Sequence, residues 1–404
     1  MSYTRRGFLA AVTAGLSAAA VATVRTPMSN ANPFGSGSLG AVAQGVVESV
    51  PAGSGLIRPD GTLGYVGVTF PRHEEVAGRI RFGFPDGSLG EWISLEPHDA
   101  GADVWEGVVD GAGDRGESRG GDGSELVAAP RGATIYEVDA AAGAHATAFD
   151  DGRNGRQAHY RLDSTFLGLP IISRAQWGGG DVPETQSSPS FHPAQAITIH
   201  HTAVPPGEDR AASIRSIHGY HTKSLGWADI GYHLLIDPEG KIYQGRGGNG
   251  TPVFESLPTG NDTPAVISGA HVANFNAGNV GIALLGDFSD TPPTEAALQA
   301  TIDAVRAIAE AIGLEPTRAI HYQSGGRSRD TDAITGHRQW GNTTCPGDAF
   351  YAQLPMIREA AAQGRAPRMR RAPSAGEARG GANAEAAVGA EKIRLQDLLD
   401  AAQS

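Results

Sequence analysis

Residues 196–202 read Ala-Ile-Thr-Ile-His-His-Thr (AITIHHT), the segment around which the α/β pattern of this chain is organised. Its first five residues read as a buried strand, with Ile197 and Ile199 on one face and Thr198 and His200 on the other. The sequence on either side supplies matching elements. Asp209 to Thr222 reads as a helix with Ile214, Ile217, His218 and His221 along one side. IGYHLLIDPEGKIYQG (230–245) reads as a hairpin around Pro238-Glu239-Gly240, and NVGIALLGDF (279–288) as a second buried strand. Thr294 caps a long helix whose apolar stripe is Leu298, Ile302, Val305, Ile308 and Ile312, stopped by Gly313. A last helix is expected from about Ala349 to Ala362. Strands alternating with helices predict an α/β domain over residues 170–363.

Upstream the pattern changes. From Leu56 to Phe149 short strands alternate: Val66, Val68 and Phe70; Ile80, Phe82 and Phe84; Ile93 and Leu95; then Thr134–Val138. Turn signals such as Pro85-Asp86-Gly87 separate them, which predicts a small all-β, sandwich-like domain within residues 56–165. The Gly- and Asp-rich segment from Asp110 to Ser124 reads as a loop or disordered insertion inside it. His73, His98 and His145 are scattered without ligand spacing, so no catalytic constellation is expected in this domain. Residues 28–55 read as a linker, and residues 364–404 as a mostly disordered tail. That tail opens with Arg365, Arg368, Arg370 and Arg371, a solvated cluster or a contact for an anionic surface.

Residues 4–9 read TRRGFL, ahead of an uncharged, Ala-rich run from Phe8 to Val24. This predicts a twin-arginine signal peptide over residues 1–27, with Ala20-Val21-Ala22 as a cleavage pattern; an uncleaved N-terminal anchor is the alternative. The expectation is an exported protein, secreted or associated with the cell wall, with no stable membrane span after cleavage. The formal net charge of −12 and the absence of clustered basic residues in the folded regions argue against a nucleic-acid partner.

The chain has one cysteine, Cys345, so an internal disulfide is excluded. It is either a small buried apolar residue or a soft metal ligand. It lies eight residues after His337 in TGHRQWGNTTCPG (335–347), with His200 at the end of the strand far upstream. Two imidazoles and one thiolate make a three-ligand zinc set with one position open for water, the pattern of a hydrolytic rather than a structural site. His201 points to the opposite face if the strand continues and suits a supporting role. No HExxH motif supplies a glutamate base. Tyr232 in DIGYH and Thr343 beside the cysteine are candidates to act on the substrate. Tyr232 could equally be a core aromatic, and Thr343 a turn residue.

Five segments together resemble the peptidoglycan recognition proteins and the related zinc-dependent N-acetylmuramoyl-L-alanine amidases, phage amidases included. They are ISRAQWGG (172–179), ITIHHTA (197–203), IHGYHTKSLGWADIGYHLLIDPEGKIYQGRGG (217–248), GAHVANFNAGNVGIALLGDF (269–288) and TGHRQWGNTTCPG (335–347). The resemblance implies a central mixed β-sheet flanked by helices, with one Zn2+ held by His200, His337 and Cys345. It places Tyr232 and Thr343 at the catalytic positions, and His221, Trp227, His271 and Asn276 at positions that line or support the substrate groove. It implies peptidoglycan or muropeptides as partners, and hydrolysis of the amide between N-acetylmuramic acid and L-alanine of the stem peptide. Where the family often has tryptophan after the Gly-Arg-Gly turn, this chain has Gly248. Non-catalytic recognition is the alternative, but members of that kind typically lack the cysteine ligand. A cytoplasmic muropeptide-recycling amidase is a third reading, opposed by the export signal.

Overall fold

The computed structural model describes residues 46–71, 77–95, 123–152, 162, 164–179, 190–247, 254–255, 264–324 and 326–363. The signal peptide read at 1–27, the tail at 364–404, His73, His98 and Gly248 lie outside them, as does most of the 28–55 linker.

Ala196–His201 is buried along its whole length and runs parallel to Asn279–Leu284 on one side and Ile334–Gly336 on the other. Leu234–Ile236 continues the sheet in parallel, and Ile242–Gln244 closes it as an antiparallel edge. The result is a five-stranded mixed sheet whose inner strands are covered on both faces, as their continuous apolar character requires. On one face Ile197, Ile199, Val280 and Ile282 pack against Leu298, Ile302, Val305 and Ile308 of helix Glu295–Ile312. The Thr294 hydroxyl caps that helix by accepting from the Ala297 N–H, and Gly313 ends it at φ 72°. On the other face Ile214 and Ile217 of helix Arg210–Gly219 cover Tyr232, Leu235 and Ala283.

Two helix boundaries depart from the sequence expectation, and one hairpin is not anticipated by it. The helix expected from Asp209 to Thr222 is Arg210–Gly219, with Asp209 as its side-chain cap; the chain then widens into a π-type turn over Tyr220–Ser224. The last helix splits into Asp348–Tyr351 and Leu354–Ala362, because Pro355 cannot donate into the preceding turn. The antiparallel hairpin Ala319–Ser324/Arg327–Asp332 carries no apolar alternation, and its second strand has no buried residue.

The described residues up to 152 contain strands and no helix. Val46–Pro51, His145–Phe149, Tyr65–Thr69 and Val127–Ala128 form one antiparallel sheet in that order. Ile93–Ser94, Gly78–Gly83 and Ile135–Ala140 form another. Val66, Val68, Ile80, Phe82, Tyr136 and Val138 share one apolar cluster. Val46–Pro51 lies inside the stretch read as linker: it pairs with His145–Phe149 and buries Val50, so the β-rich unit begins before Leu56.

Candidate metal centre and catalytic pocket

His200 is the penultimate residue of strand Ala196–His201, on the face opposite the Ile197–Ile199 core. His337 begins a short turn immediately after the neighbouring strand Ile334–Gly336. That turn is pinned to the sheet by Trp340, whose indole N–H donates to the hydroxyls of Thr198 and Thr335, both at 2.8 Å. Cys345 returns on the loop that follows, held by the Arg338 N–H donating to its carbonyl at 3.0 Å. Parallel pairing of two strands and one eight-residue loop thus bring three distant residues together. Ligand atoms of His200, His337 and Cys345 all lie within 4.8 Å of one another, and all three residues are buried.

Cys345 Sγ lies 3.7 Å from His200 Nδ1. Ligand atoms about 2.0–2.3 Å from one ion at tetrahedral angles stand roughly 3.5 Å apart, so this spacing fits a shared metal. The protonation state of His200 follows from its neighbours. The Asn279 carbonyl can only accept, so His271 donates to it from Nε2 at 3.0 Å. His271 Nδ1 is then the acceptor for the His200 Nε2–H, also at 3.0 Å. Burial holds His271 neutral by pushing its pKa well below the usual histidine value. His200 Nδ1 is left with its lone pair toward Cys345 and His337, the tautomer that a metal ligand needs.

The pocket over these donors is lined by Tyr232, His221, His201, Thr343 and the candidate ligands His337 and Cys345, among others. Tyr232 stacks at 5.2 Å from His200 and 5.7 Å from His221, measured between ring centroids. Burial, reinforced by Cys345 and Glu125, pushes its hydroxyl far above the usual tyrosine range. In its neutral form that hydroxyl can donate a hydrogen bond into the pocket. His221 accepts the Gly231 N–H on Nδ1 at 3.1 Å and is backed by the Trp227 ring at 4.5 Å. Thr343 lines the pocket and also accepts the Cys345 N–H at 3.1 Å, so it shapes the cysteine loop as a turn residue does. The His201 N–H points at Cys345 Sγ from 3.5 Å. Burial lowers the His201 side chain to about 4, and its Nδ1 accepts the Phe288 N–H.

The positions assigned to the groove divide. His221 lines it and Trp227 braces His221 from behind. His271 and Asn276 are fully enclosed behind His200, where the Asn276 side-chain oxygen accepts the N–H groups of His271 and Val272. Gly281 makes room for this arrangement, since a Cβ there would meet the His271 ring at 2.7 Å. Under the pocket, Asp229 binds Arg174 at 2.7 Å and accepts the Ile230 and Gly247 N–H groups. Burial alone would raise the Asp229 carboxyl, but the His218 hydrogen bond and the Arg174 and Arg246 charges hold it well below the usual carboxylate range.

Two further pocket residues, Glu125 and Leu126, are not among those expected from the sequence. Both line the pocket although they belong to the β-rich unit, where no site residue was expected. No local motif marks them.

Residues 190–348 match the family model described as N-acetylmuramoyl-L-alanine amidase. Peptidoglycan-recognition protein SC2 of Drosophila simulans is 32% identical over 191 residues, covering 46% of this chain and 86% of that protein. The N-acetylmuramoyl-L-alanine amidase of Homo sapiens is 32% identical over 195 residues, which is 47% of this chain and 28% of that protein. Among solved structures, wild-type Drosophila PGRP-LB is 28% identical and overlays 46% of this chain and 91% of its own, with a TM-score of 0.35.

Proposed function

The chain belongs to the family of peptidoglycan-recognition proteins and N-acetylmuramoyl-L-alanine amidases, and from that premise we propose that it is a zinc-dependent amidase. Its substrate is peptidoglycan or a muropeptide, and the bond cut is the amide between N-acetylmuramic acid and L-alanine of the stem peptide. One observation carries this reading: the buried cluster of His200, His337 and Cys345, with Tyr232 stacked beside it. Mixed imidazole and thiolate donors suit zinc, and three protein ligands leave a position for chemistry.

When bound there, zinc supplies Lewis acidity to the scissile carbonyl and to the attacking water. The chain's own residues do the rest. The His271–Asn279 relay keeps the Nδ1 lone pair of His200 turned to the metal site. The Tyr232 hydroxyl, held protonated by burial, donates to the carbonyl oxygen as negative charge develops on it. Thr343 fixes the cysteine loop through its hydroxyl and lines the same pocket.

Export belongs to the same proposal, on the strength of Arg5-Arg6 and the Ala-rich run that follows. Among the described residues no helix is long and apolar enough to cross a membrane.

The test is the substitution Cys345→Ser, read by zinc content and peptidoglycan hydrolysis together. Loss of stoichiometric zinc and of activity, with the fold retained, is expected. Full hydrolysis by a zinc-free Cys345→Ser protein contradicts the mechanism.

A further inference from the structure

The β-rich unit lies outside the 190–348 family match, yet it reaches the pocket. The reach is made by a local irregularity. Val66 faces Val127 and Thr69 faces Gly123, so three steps along Tyr65–Thr69 are matched by four along the partner segment. The extra residue makes a β-bulge at Glu125–Leu126, opposite Gly67. Adjacent residues of a regular strand point to opposite faces, but a bulge re-aims one of them. Here both Glu125 and Leu126 line the pocket that holds Tyr232, His337 and Cys345.

The bulge is fixed from both sides. Ser124 exchanges hydrogen bonds with Val68, donating its N–H at 2.8 Å and accepting the Val68 N–H on Oγ at 3.0 Å. Tyr220, at the start of the π-type turn, donates its hydroxyl to the Ser124 carbonyl. Its ring lies so close to Gly67 that a Cβ there would meet it at 2.4 Å. Around this contact Tyr65 donates to the Pro205 carbonyl at 2.8 Å, and Ser213 donates to the Asp151 carbonyl at 3.2 Å. Tyr65 and Phe149 join Tyr220, Leu225 and Trp227 in one buried apolar cluster. The β-rich unit is docked onto the catalytic unit rather than tethered to it.

We propose that the β-rich unit is a wall of the substrate pocket and that Glu125 and Leu126 contact the muropeptide. A carboxylate only accepts hydrogen bonds. Glu125 therefore selects a substrate N–H or O–H group beside the scissile amide and disfavours a carboxylate there, while Leu126 covers an apolar part of the same substrate. The substrate class rests on the amidase reading; the wall itself rests on the bulge and the docking contacts.

The test uses the zinc-loaded full chain with a synthetic N-acetylmuramoyl pentapeptide. Wild type, Glu125→Gln, Glu125→Ala and Leu126→Ala are compared with Glu137→Gln, a carboxylate of the same unit paired with Arg81. Steady-state hydrolysis, zinc content and thermal unfolding are measured for each, and pentapeptide affinity is measured in a Tyr232→Phe background. For Glu125→Ala a loss of about ten- to a hundredfold in affinity and in kcat/KM is expected, the scale of a hydrogen bond to a charged group. Glu125→Gln retains part of it, and zinc content, unfolding and the Glu137→Gln control do not change. Unchanged affinity and kcat/KM in Glu125→Ala overturn the wall. Faster hydrolysis and tighter binding in Glu125→Ala also overturn it, because the segment is then an obstructing plug. If wild type binds the pentapeptide but never cuts it, the amidase reading fails while the affinity series still decides the role of Glu125.

Discussion

His271 touches no substrate in this account, yet its removal is expected to weaken the metal site. The ring takes the His200 Nε2–H on its Nδ1 and gives its own Nε2–H to the Asn279 carbonyl, both at 3.0 Å and in residues with no solvent exposure. In His271→Leu, His200 loses its acceptor and the Asn279 carbonyl loses a donor. Each such loss in a buried site costs about 1–3 kcal/mol. The ring of His200 is then free to rotate or to carry its proton on Nδ1, the atom that must face the metal. Loss of a partner behind a ligand histidine typically lowers metal affinity by about 10- to 100-fold. Zinc affinity measured by competition with a chelating dye is expected to fall by that factor. His271→Gln, whose side-chain oxygen can accept from His200, is expected to recover part of it. Urea unfolding of the metal-free proteins separates this effect from general destabilisation. A His271→Leu protein with wild-type zinc affinity within a factor of two would refute the relay.

Tyr232→Phe is expected to keep its zinc and lose roughly 100- to 1000-fold in kcat, the scale for removing one oxyanion donor; wild-type turnover would demote the hydroxyl to packing. Asp229→Asn leaves the Arg174 and Arg246 guanidiniums without their buried counter-charge, and a loss of about 3–5 kcal/mol in unfolding free energy is expected by urea titration. His233 is lowered to about 4 by burial, with Nδ1 accepting the Gly281 N–H and Nε2 donating to the Ile267 carbonyl. A base with a depressed folded pKa stabilises above its unfolded value near 6.5 and loses that contribution as pH falls toward about 4. Between pH 7 and pH 5 this residue should withdraw about 2 kcal/mol, and His233→Gln should flatten the slope by that amount. An unaltered slope in the variant would contradict the assignment.

Much of the catalytic half was legible because its strongest signals are local. The apolar run of AITIHH and the Thr294–Gly313 boundaries of the long helix need no tertiary information. The candidate ligands were legible as residue types: one cysteine and two histidines on recognisable segments. Their meeting depends on parallel pairing of Ala196–His201 with Ile334–Gly336, which periodicity does not reveal. The boundaries that moved did so for stated reasons, Pro355 interrupting the last helix and Val50 drawing the first strand into a sheet. Glu125 was illegible. Its place in the pocket comes from a register slip between strands about 60 residues apart in sequence and from a tyrosine on another unit, and its own neighbours read as a polar loop. His271 illustrates a middle case: the resemblance marked the position, but only the geometry shows that it works from behind His200.

Hydrolysis of the bond between muramic acid and L-alanine in this pocket would leave a new alanine amino terminus and no new reducing sugar end. The most direct measurement is digestion of purified peptidoglycan by the zinc-loaded protein, scoring new alanine amino termini and new reducing sugar ends in the same reaction. The expected result is alanine amino termini that disappear with zinc removal and return with zinc, and no new reducing ends. Reducing ends without alanine termini, or neither product from a folded, zinc-loaded protein that still binds the wall, would contradict it.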